Sequence, residues 1–280
     1  MTPADDRSLA AGGAAASGGA AASGDAALAG ELAAAAGELL VRLRRDVGFA
    51  DPSSLRKAGD RASHEFLVAE LASARPDDAV LSEEGVDDRS RLGADRVWIV
   101  DPLDGTNEFG EEGRTDWAVH VALWERGSAA PMQLVAGAVA LPALGRTLVT
   151  GGELPRRGAP EGAPRLAVSR SRRPAWFDDI AAATGAVDVP LGSAGMKAMS
   201  VVLGDTDAYV HSGRMKEWDS AAPAVVAAAA GLHVSRLDGS PLEFNTPERL
   251  TLDLLICHPA VAEPLLRAVA GLAGTDRTER

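Results

Sequence analysis

The feature that most constrains the fold is a short apolar run that leads directly into a turn rich in aspartate. Residues 97–100 read Val-Trp-Ile-Val, which is typical of a buried strand. The run continues into Asp101, Pro102, Leu103, Asp104, Gly105 and Thr106. Proline interrupts the hydrogen-bond ladder of a strand, and glycine permits a tight turn into a following helix. The pattern predicts that Asp101 and Asp104 lie close together at the carboxyl end of a buried strand.

Two carboxylates held this close repel each other unless a cation lies between them. Hard divalent cations prefer such oxygen ligands, and the carbonyl of Leu103 offers one more in the same turn. The backbone amides near Gly105 and Thr106 are placed to face a phosphate at the start of the next helix. A solvated turn with capping residues explains any one of these residues, but it does not explain the whole set. The turn therefore predicts a metal site.

Three other acidic segments are unremarkable when each is considered alone. Asp219 lies where a helix is predicted to open, as an ordinary acidic cap would. Glu83 and Glu84 follow a predicted strand at residues 79–82, where an acidic pair is usually solvated. Asp60 is predicted to lie at the start of a helix that extends to about residue 73.

Taken together, the four segments resemble the inositol monophosphatase superfamily, the lithium-sensitive, magnesium-dependent phosphomonoesterases. The resemblance covers residues 25–272; residues 98–109 are similar to the first signature of that superfamily and residues 218–231 to the second. It implies a layered αβαβα sandwich, in which an α+β part precedes an α/β part and the metal ions lie between them.

The resemblance also assigns metal ligands. It implies that Glu83, Asp101 and the Leu103 carbonyl hold one Mg²⁺. A second Mg²⁺ would be held by Asp101, Asp104 and Asp219.

A third, weaker Mg²⁺ would be reached by Asp60 and Glu83. In the mechanism that the resemblance implies, a metal-activated water attacks the phosphate. Thr106, hydrogen-bonded to Asp60 or Glu83, would orient and deprotonate this water, so these three residues are the predicted catalytic residues.

Within the superfamily, the chain is similar to the 3'(2'),5'-bisphosphate nucleotidases, in particular the actinobacterial CysQ type. The similar segments are residues 81–84, 95–99, 116–120, 192–197 and 235–242. This branch cleaves 3'-phosphoadenosine 5'-phosphate (PAP), or its sulfated form PAPS, at the 3'-phosphate during sulfate assimilation. Inositol phosphates and fructose 1,6-bisphosphate are the alternative substrates for the same chemistry. A more distant alternative is a non-catalytic regulator that binds a metal or a nucleotide.

The resemblance implies a set of residues that contact the substrate. They are Asp104, Gly105, Thr106, Ser193, Ala194, Gly195, Lys197 and Asp219. The charge of Lys197 suits the phosphate that is not cleaved. Weaker candidates for the same role are Arg170, Arg172, Arg214 and Lys216. His120, inside a predicted strand, is interpreted as an ordinary core residue.

Composition limits the partners and suggests the organisation of the chain. The 280 residues carry a net charge of −12, which argues against binding a nucleic-acid polymer. Residues 1–24 are rich in Gly, Ala and Ser and are predicted to be disordered. A helix is predicted from Asp25, which would be its N-cap. Residues 25–155 are predicted to form an α+β metal-binding domain with an antiparallel sheet, and residues 156–280 an α/β substrate-recognition domain.

The remaining expectations concern location and assembly. The single cysteine, Cys257, excludes an intrachain disulfide, and no apolar run is long enough to span a bilayer. Neither a membrane association nor a signal peptide is predicted, so the cytoplasm is the expected location. Dimers are common in the superfamily, and a homodimer is therefore the assembly that the resemblance allows.

Overall fold

A computed structural model describes the backbone of residues 13–270 and the side chains of residues 24–270. Most of the helices are short and lie between strands. Their bounds are α1 Gly13–Val47, α2 Pro52–Ala74, α3 Thr106–Gly110, α4 Phe177–Thr184, α5 Ala194–Leu203, α6 Glu217–Ala229 and α7 Pro259–Val269. Within residues 13–270, no helix has both the length and the apolar character needed to cross a membrane.

The strands form two five-stranded sheets. The first has the order β1-β2-β3-β4-β5, with strands Ala79–Ser82, Arg96–Asp104, Ala118–Glu125, Leu134–Leu141 and Arg146–Val149. The second has the order β7-β6-β8-β10-β9, and its strands in chain order from β6 are Arg165–Ser169, Val187–Leu191, Ala208–Lys216, His233–Ser235 and Leu250–Cys257.

The first sheet differs from the predicted antiparallel sheet in one pair of strands. β1 and β2 are parallel, with Ser82 opposite Val100, whereas the pairs from β2 to β5 are antiparallel. Because parallel strands end at the same edge of a sheet, the residue after β1 meets the end of β2. The amide of Glu83 accordingly lies 3.4 Å from the carbonyl oxygen of Val100. This parallel pair brings two acidic segments together.

The elements stack in five layers, which confirms the predicted αβαβα sandwich. Helices α1 and α2 pack on the outer face of the first sheet, in a core that includes Leu40, Leu67 and Trp98. Helices α5 and α6 lie between the two sheets, and α4 and α7 cover the far face of the second sheet. The small residues of α6 permit close packing: a Cβ at Gly137 of β4 would lie 2.4 Å from Val225 Cγ1.

The start of α1 differs from the prediction. The helix begins at Gly13, because the alanine-rich stretch before Asp25 continues it, and alanine has the highest helix propensity. Asp25 is therefore not an N-cap. Its buried carboxylate pairs instead with Arg75 and Arg96, each at 2.8 Å. Of the segment predicted to be disordered, residues 1–12 lie outside the described residues and residues 13–24 belong to α1.

The second helix also begins earlier than predicted. Pro52 is its first residue, and the side chain of Asp51 accepts hydrogen bonds from the amides of Ser53 and Ser54. Asp60 therefore lies within α2 and not at its start. The chain passes from the first sheet to the second between β5 and β6, but α6 packs against strands of the first sheet. The division into two domains at residue 155 stays a prediction.

Candidate active site

The site is built around the turn that follows β2. The amide of Leu103 donates to Asp101 Oδ1 at 3.0 Å, and the pairing of β2 with β3 shifts register between Asp101 and Asp104. Gly105 has φ +85° and caps α3, in the left-handed region that favours glycine. A Cβ at Gly105 would also lie 2.8 Å from Ser193 Cβ. The turn therefore requires glycine for both conformation and space.

Thr106 connects this turn to α2. Its hydroxyl lies 3.2 Å from the carbonyl oxygen of Leu103 and 3.5 Å from Asp60 Oδ1. Burial, followed by the negative charge of Glu84, raises the pKa of Asp60 to about 6. The predicted catalytic pair of Thr106 and Asp60 is thus in contact, and Asp60 titrates close to neutral pH.

Glu83 and Asp101 meet at the shared edge of β1 and β2. Burial raises the pKa of Asp101 well above its ordinary value, and the charges of Asp104 and Glu83 add to the effect. Burial also raises the pKa of Glu83, although a hydrogen bond with Asp101 opposes the shift. The two carboxyl groups predicted to share a metal ion are therefore in direct contact.

Asp219 enters the same cluster from the first turn of α6. Burial raises its pKa to about 7, and the neighbouring charges of Asp104 and Glu83 are the next causes. Because the charges of Glu83 and Asp104 act on both Asp101 and Asp219, the four carboxylates form one electrostatic group. The structure therefore brings together the four side chains predicted to hold the metal ions.

Asp104 is held differently from the other carboxylates. It is buried at the amino end of α5, where the amides of Ala194 and Gly195 donate to Oδ1 at 3.2 Å and to Oδ2 at 2.5 Å. Burial acts to raise the pKa of Asp104, but the close contact with His120 and the hydrogen bond from the Gly195 amide outweigh it, so the pKa is lowered. Asp104 therefore remains ionised within a cluster of carboxylates that otherwise favour protons.

The donor set fits magnesium. Among the described residues, no three His, Cys, Asp or Glu side chains already have the geometry of a metal site. The four carboxylates nevertheless repel one another strongly, and they offer oxygen donors without cysteine. A hard dication such as Mg²⁺ matches these donors and would relieve the repulsion. Glu83, Asp101, Asp104, Asp219 and the Leu103 carbonyl are the residues that would hold it.

A cleft of about 800 Å³ opens on this cluster. Of the predicted substrate residues, those that line it are Asp104, Ser193, Ala194, Lys197 and Asp219. Gly105, Thr106 and Gly195 are not among the residues that line this cleft. The amides of Ala194 and Gly195 already bond to Asp104, so their contact with substrate stays a prediction.

Basic residues share the cleft with the carboxylates. Lys197 is buried, donates to the carbonyl of Gly192 and lies 5.4 Å from the ring of Tyr209; burial lowers its pKa. Arg172 and Arg214 also line the cleft. His211 lines it too, but burial and then the charge of Lys197 lower its pKa to about 4, so it is neutral near pH 7.

Two of the weaker candidates for binding the uncleaved phosphate, Arg170 and Lys216, make other contacts. Arg170 forms ion pairs with Glu108 at 3.0 Å and Glu111 at 2.8 Å. Lys216 lies 5.6 Å from the ring of Trp218 and does not line the cleft. Of the residues predicted to bind the uncleaved phosphate, Lys197, Arg172 and Arg214 line the cleft, and their contact with this phosphate stays a prediction.

The comparisons with known proteins agree with this geometry. The model of the inositol monophosphatase family matches residues 22–270, which is most of the chain. The chain belongs to the inositol monophosphatase family. Members of this family are metal-dependent phosphomonoesterases, which fits the carboxylate cluster.

Two named relatives indicate the branch of the family to which the chain is similar. A 3'-phosphoadenosine 5'-phosphate phosphatase of Mycobacterium tuberculosis is 51% identical over 238 residues, covering 84% of this chain and 89% of the relative. The 3'(2'),5'-bisphosphate nucleotidase CysQ of Escherichia coli is 31% identical over 201 residues, covering 68% of this chain and 80% of the relative.

Solved structures of the family share the fold. Inositol monophosphatase-II of Staphylococcus aureus has a TM-score of 0.69 at 21% identity, covering 86% of this chain and 91% of its own. SuhB of Mycobacterium tuberculosis has a TM-score of 0.65 at 26% identity, covering 89% and 96%.

The sequence analysis gave no role in the site to two polar residues, Asp116 and His120; it placed both in a similar segment and interpreted His120 as a core residue. Asp116 accepts the amide of Gly192 at 2.6 Å and pairs with Arg114, and its carbonyl oxygen lies 3.2 Å from the amide of Ser193. His120 lies opposite Asp101 in the pairing of β2 with β3. Burial acts to lower the pKa of His120, but its contact with Asp104 outweighs burial and raises it. The available signal was a polar residue in an otherwise apolar strand directly after the family signature.

Proposed function

We propose that this member of the family hydrolyses the 3'-phosphate of PAP to give AMP and phosphate, with Mg²⁺ as its cofactor. The observation that carries the proposal is the set of charged side chains that line the cleft. Among the described residues that line it, the carboxylates are Asp104 and Asp219, and the cations are Lys197, Arg172 and Arg214. A substrate with one phosphate at the carboxylates and a second anionic group at the cations fits this division. The names of the relatives support the same substrate.

Each predicted residue has a distinct role in this proposal. When bound, Mg²⁺ would act as a Lewis acid, which activates water and neutralises the charge developing on the leaving oxygen. The Thr106 hydroxyl orients the attacking water, and Asp60 Oδ1 accepts the proton that this water loses. A pKa of about 6 suits Asp60 to this task near neutral pH. Two ions at the four carboxylates, and a weaker third near Asp60 and Glu83, remain part of the proposal.

The substrate assignment is tested by comparing three phosphate esters in the presence of Mg²⁺. PAP, inositol 1-phosphate and fructose 1,6-bisphosphate are supplied at matched concentrations, and released phosphate is measured. We expect the highest kcat/KM for PAP. A higher value for inositol 1-phosphate would overturn the substrate assignment but keep the chemistry. If none of the three released phosphate, a non-catalytic regulator would be favoured.

The role of the cations is tested with Arg214→Gln. Loss of a charged hydrogen bond costs about 1.5–3 kcal/mol, so we expect the KM for PAP to rise about tenfold or more. Adenosine 3'-monophosphate lacks the second phosphate, and its KM should hardly change. Arg45→Gln, at an exposed arginine paired with Asp46, is the matched control. An equal rise in KM for both nucleotides would contradict a contact with the second phosphate.

A further inference from the structure

His120 occupies a position that an ordinary core residue does not require. Its side chain is fully buried on β3. Nδ1 lies 3.0 Å from the carbonyl oxygen of Trp218, and Nε2 lies 3.2 Å from Asp104 Oδ2. Since a carbonyl oxygen only accepts, Nδ1 must be the donor in the first contact. The imidazole therefore bridges a backbone group of α6 and a carboxylate at the end of β2.

The two ends of this bridge both belong to the carboxylate cluster. Trp218 immediately precedes Asp219, so its carbonyl group fixes the backbone from which Asp219 projects. Asp104 is the carboxylate already held by the amides of α5. Asp104 and Asp219 are contributed by different layers of the sandwich. His120 contacts the carboxylate of Asp104 and the backbone carbonyl of the residue before Asp219.

The space around the ring shows that the bridge is tightly constrained. A Cβ at Gly195 would lie 2.1 Å from His120 Nε2 and 3.0 Å from Asp104 Oδ2. Glycine at this position is therefore what permits the imidazole and the start of α5 to approach the same carboxylate oxygen. Nε2 faces Asp104 Oδ2 at 3.2 Å without the alignment of a hydrogen bond, and it has no hydrogen-bond partner within residues 24–270.

We propose that His120 is a positioning residue for metal binding: it fixes Asp104 relative to the backbone of Asp219, so that both carboxylates face the same ion. The proposal rests on the metal site of the proposed function but not on the identity of the substrate. Residues that orient metal ligands typically contribute about 10- to 100-fold to metal affinity or activity.

Two amide side chains separate the two contacts of the ring. In His120→Gln the amide nitrogen can take the place of Nε2 and keep a donor for Asp104. In His120→Asn it can take the place of Nδ1 and keep the donor for the Trp218 carbonyl. His120→Leu removes both donors. Val121→Ala is the packing control, because the buried Val121 side chain belongs to the core formed with α1 and α2.

The measurement is calorimetric binding of Mn²⁺ and Mg²⁺ to the full chain, with the melting temperature of each variant recorded in parallel. We expect the Leu and Asn variants to bind the metal about 10- to 100-fold more weakly, and the Gln variant to retain more of the affinity. Val121→Ala should lower the melting temperature and leave metal affinity unchanged.

The outcomes separate this inference from the proposed function. Wild-type affinity in any of the three variants would overturn the role of His120 as a bridge, because each variant lacks at least one of its two contacts. So would an equal loss of affinity in Val121→Ala, because it would reduce the effect to packing. If the wild-type chain itself bound neither metal, the proposed metal site would fail. If it bound metal but did not hydrolyse PAP, only the substrate assignment would fail.

Discussion

Asp104 carries a negative charge in a cluster where its neighbours tend to hold protons. The pKa values of Asp101 and Asp219 are raised by burial and mutual repulsion, whereas that of Asp104 is lowered by His120 and the Gly195 amide despite its burial. The amides of Ala194 and Gly195 thus fix the direction of the Asp104 carboxylate without help from a cation. Such preorganisation reduces the reorganisation that metal binding requires.

Replacing Asp104 with asparagine should abolish turnover and leave the fold intact. The substitution keeps the shape of the side chain but removes the charge and one of the two acceptors that bond to Ala194 and Gly195. We expect activity to fall by more than the roughly 10- to 100-fold that loss of a supporting contact costs. Phosphate release and circular dichroism provide the measurement, with the exposed Asp46→Asn as the control. Retained activity would contradict the assignment of Asp104 as a ligand.

The pH dependence of metal binding follows from Asp60 and Asp219. Burial is the main cause that raises their pKa values to about 6 and about 7, so both are partly protonated in weakly acidic solution. A metal ligand must be deprotonated, and binding therefore strengthens as pH rises through this range. We expect the Mg²⁺ concentration for half-maximal turnover to fall between about pH 6 and pH 8. Mg²⁺ titrations at several pH values measure it, and a constant half-saturation would contradict the titration of these groups.

At the scale of elements, Arg44 of α1 holds the segment that follows the active-site turn. Its guanidinium donates to the carbonyl oxygens of Phe109 at 2.8 Å and Arg114 at 2.9 Å, and it also reaches those of Glu108 and Glu111. It lies 5.6 Å from the ring of Phe109 as well. These carbonyl groups lie in and after α3, a helix of five residues that is too short for a regular C-terminal turn.

Arg44→Leu should therefore destabilise the protein. A buried carbonyl left without a donor costs about 1–3 kcal/mol; since three of the contacts are partly buried and the one to Glu111 is exposed, a total loss of about 2–4 kcal/mol in the free energy of unfolding is expected. The neighbouring Arg45→Leu removes an arginine whose ion pair with Asp46 is exposed, and it should change stability by less than about 0.5 kcal/mol. Urea unfolding monitored by circular dichroism compares the two variants. Equal stability of both would show that the carbonyl contacts contribute nothing.

The elements also show what the sequence could and could not predict. The strand before Asp101 and the turn at Gly105 were predicted because both depend on neighbouring residues, although β2 continues through Pro102 to Asp104. The family and the layered fold are confirmed. The short strands β5, β7 and β9 were missed, because their pairing partners define them more than their own residues do. Asp25 was taken for a helix cap because its ion pairs with Arg75 and Arg96 join distant segments.

The candidate site shows the same division. Asp101 and Asp104 were predicted from the turn itself and Glu83 and Asp219 through the resemblance, whereas His120 was interpreted as a core residue. Its burial was anticipated, but its contact with Asp104 arises from the pairing of β2 with β3 and from the approach of α5. A single sequence contains no signal that β2, β3 and α5 approach one another at this residue. The parallel pairing of β1 with β2, which places Glu83 beside Asp101, was not predicted either.

At the scale of the whole molecule, the two middle helices connect the layers to the site. Helix α5 supplies the amides that hold Asp104, and α6 supplies Asp219; both helices lie in the core between the two sheets. Ligands contributed by separate layers meet only when the layers are docked. A bound ion would therefore hold layers together, and metal binding should be visible in the stability of the entire fold.

The carboxylates also set the direction in which pH changes this stability. Asp219 has an ordinary pKa of 3.8 and a folded value of about 7, so the metal-free folded state binds its proton more tightly than the unfolded state does. The contribution of such a group is fully present below about pH 3.8 and is lost as pH rises toward 7. Near neutral pH the metal-free protein therefore bears the repulsion of the cluster, and this is the condition in which a dication stabilises it most.

Mg²⁺ should accordingly raise the melting temperature, and more so at pH 8 than at pH 6. An ion at one hundred times its dissociation constant contributes about 2.7 kcal/mol, which corresponds to a shift of roughly 5–10 °C for a chain of this size. Thermal melts with Mg²⁺ or with EDTA at both pH values provide the measurement. Asp219→Asn removes one ligand and its titration together, so its shift should be small at both pH values. A shift in that variant as large as in the wild type would show that the ion stabilises the fold from elsewhere than the carboxylate cluster.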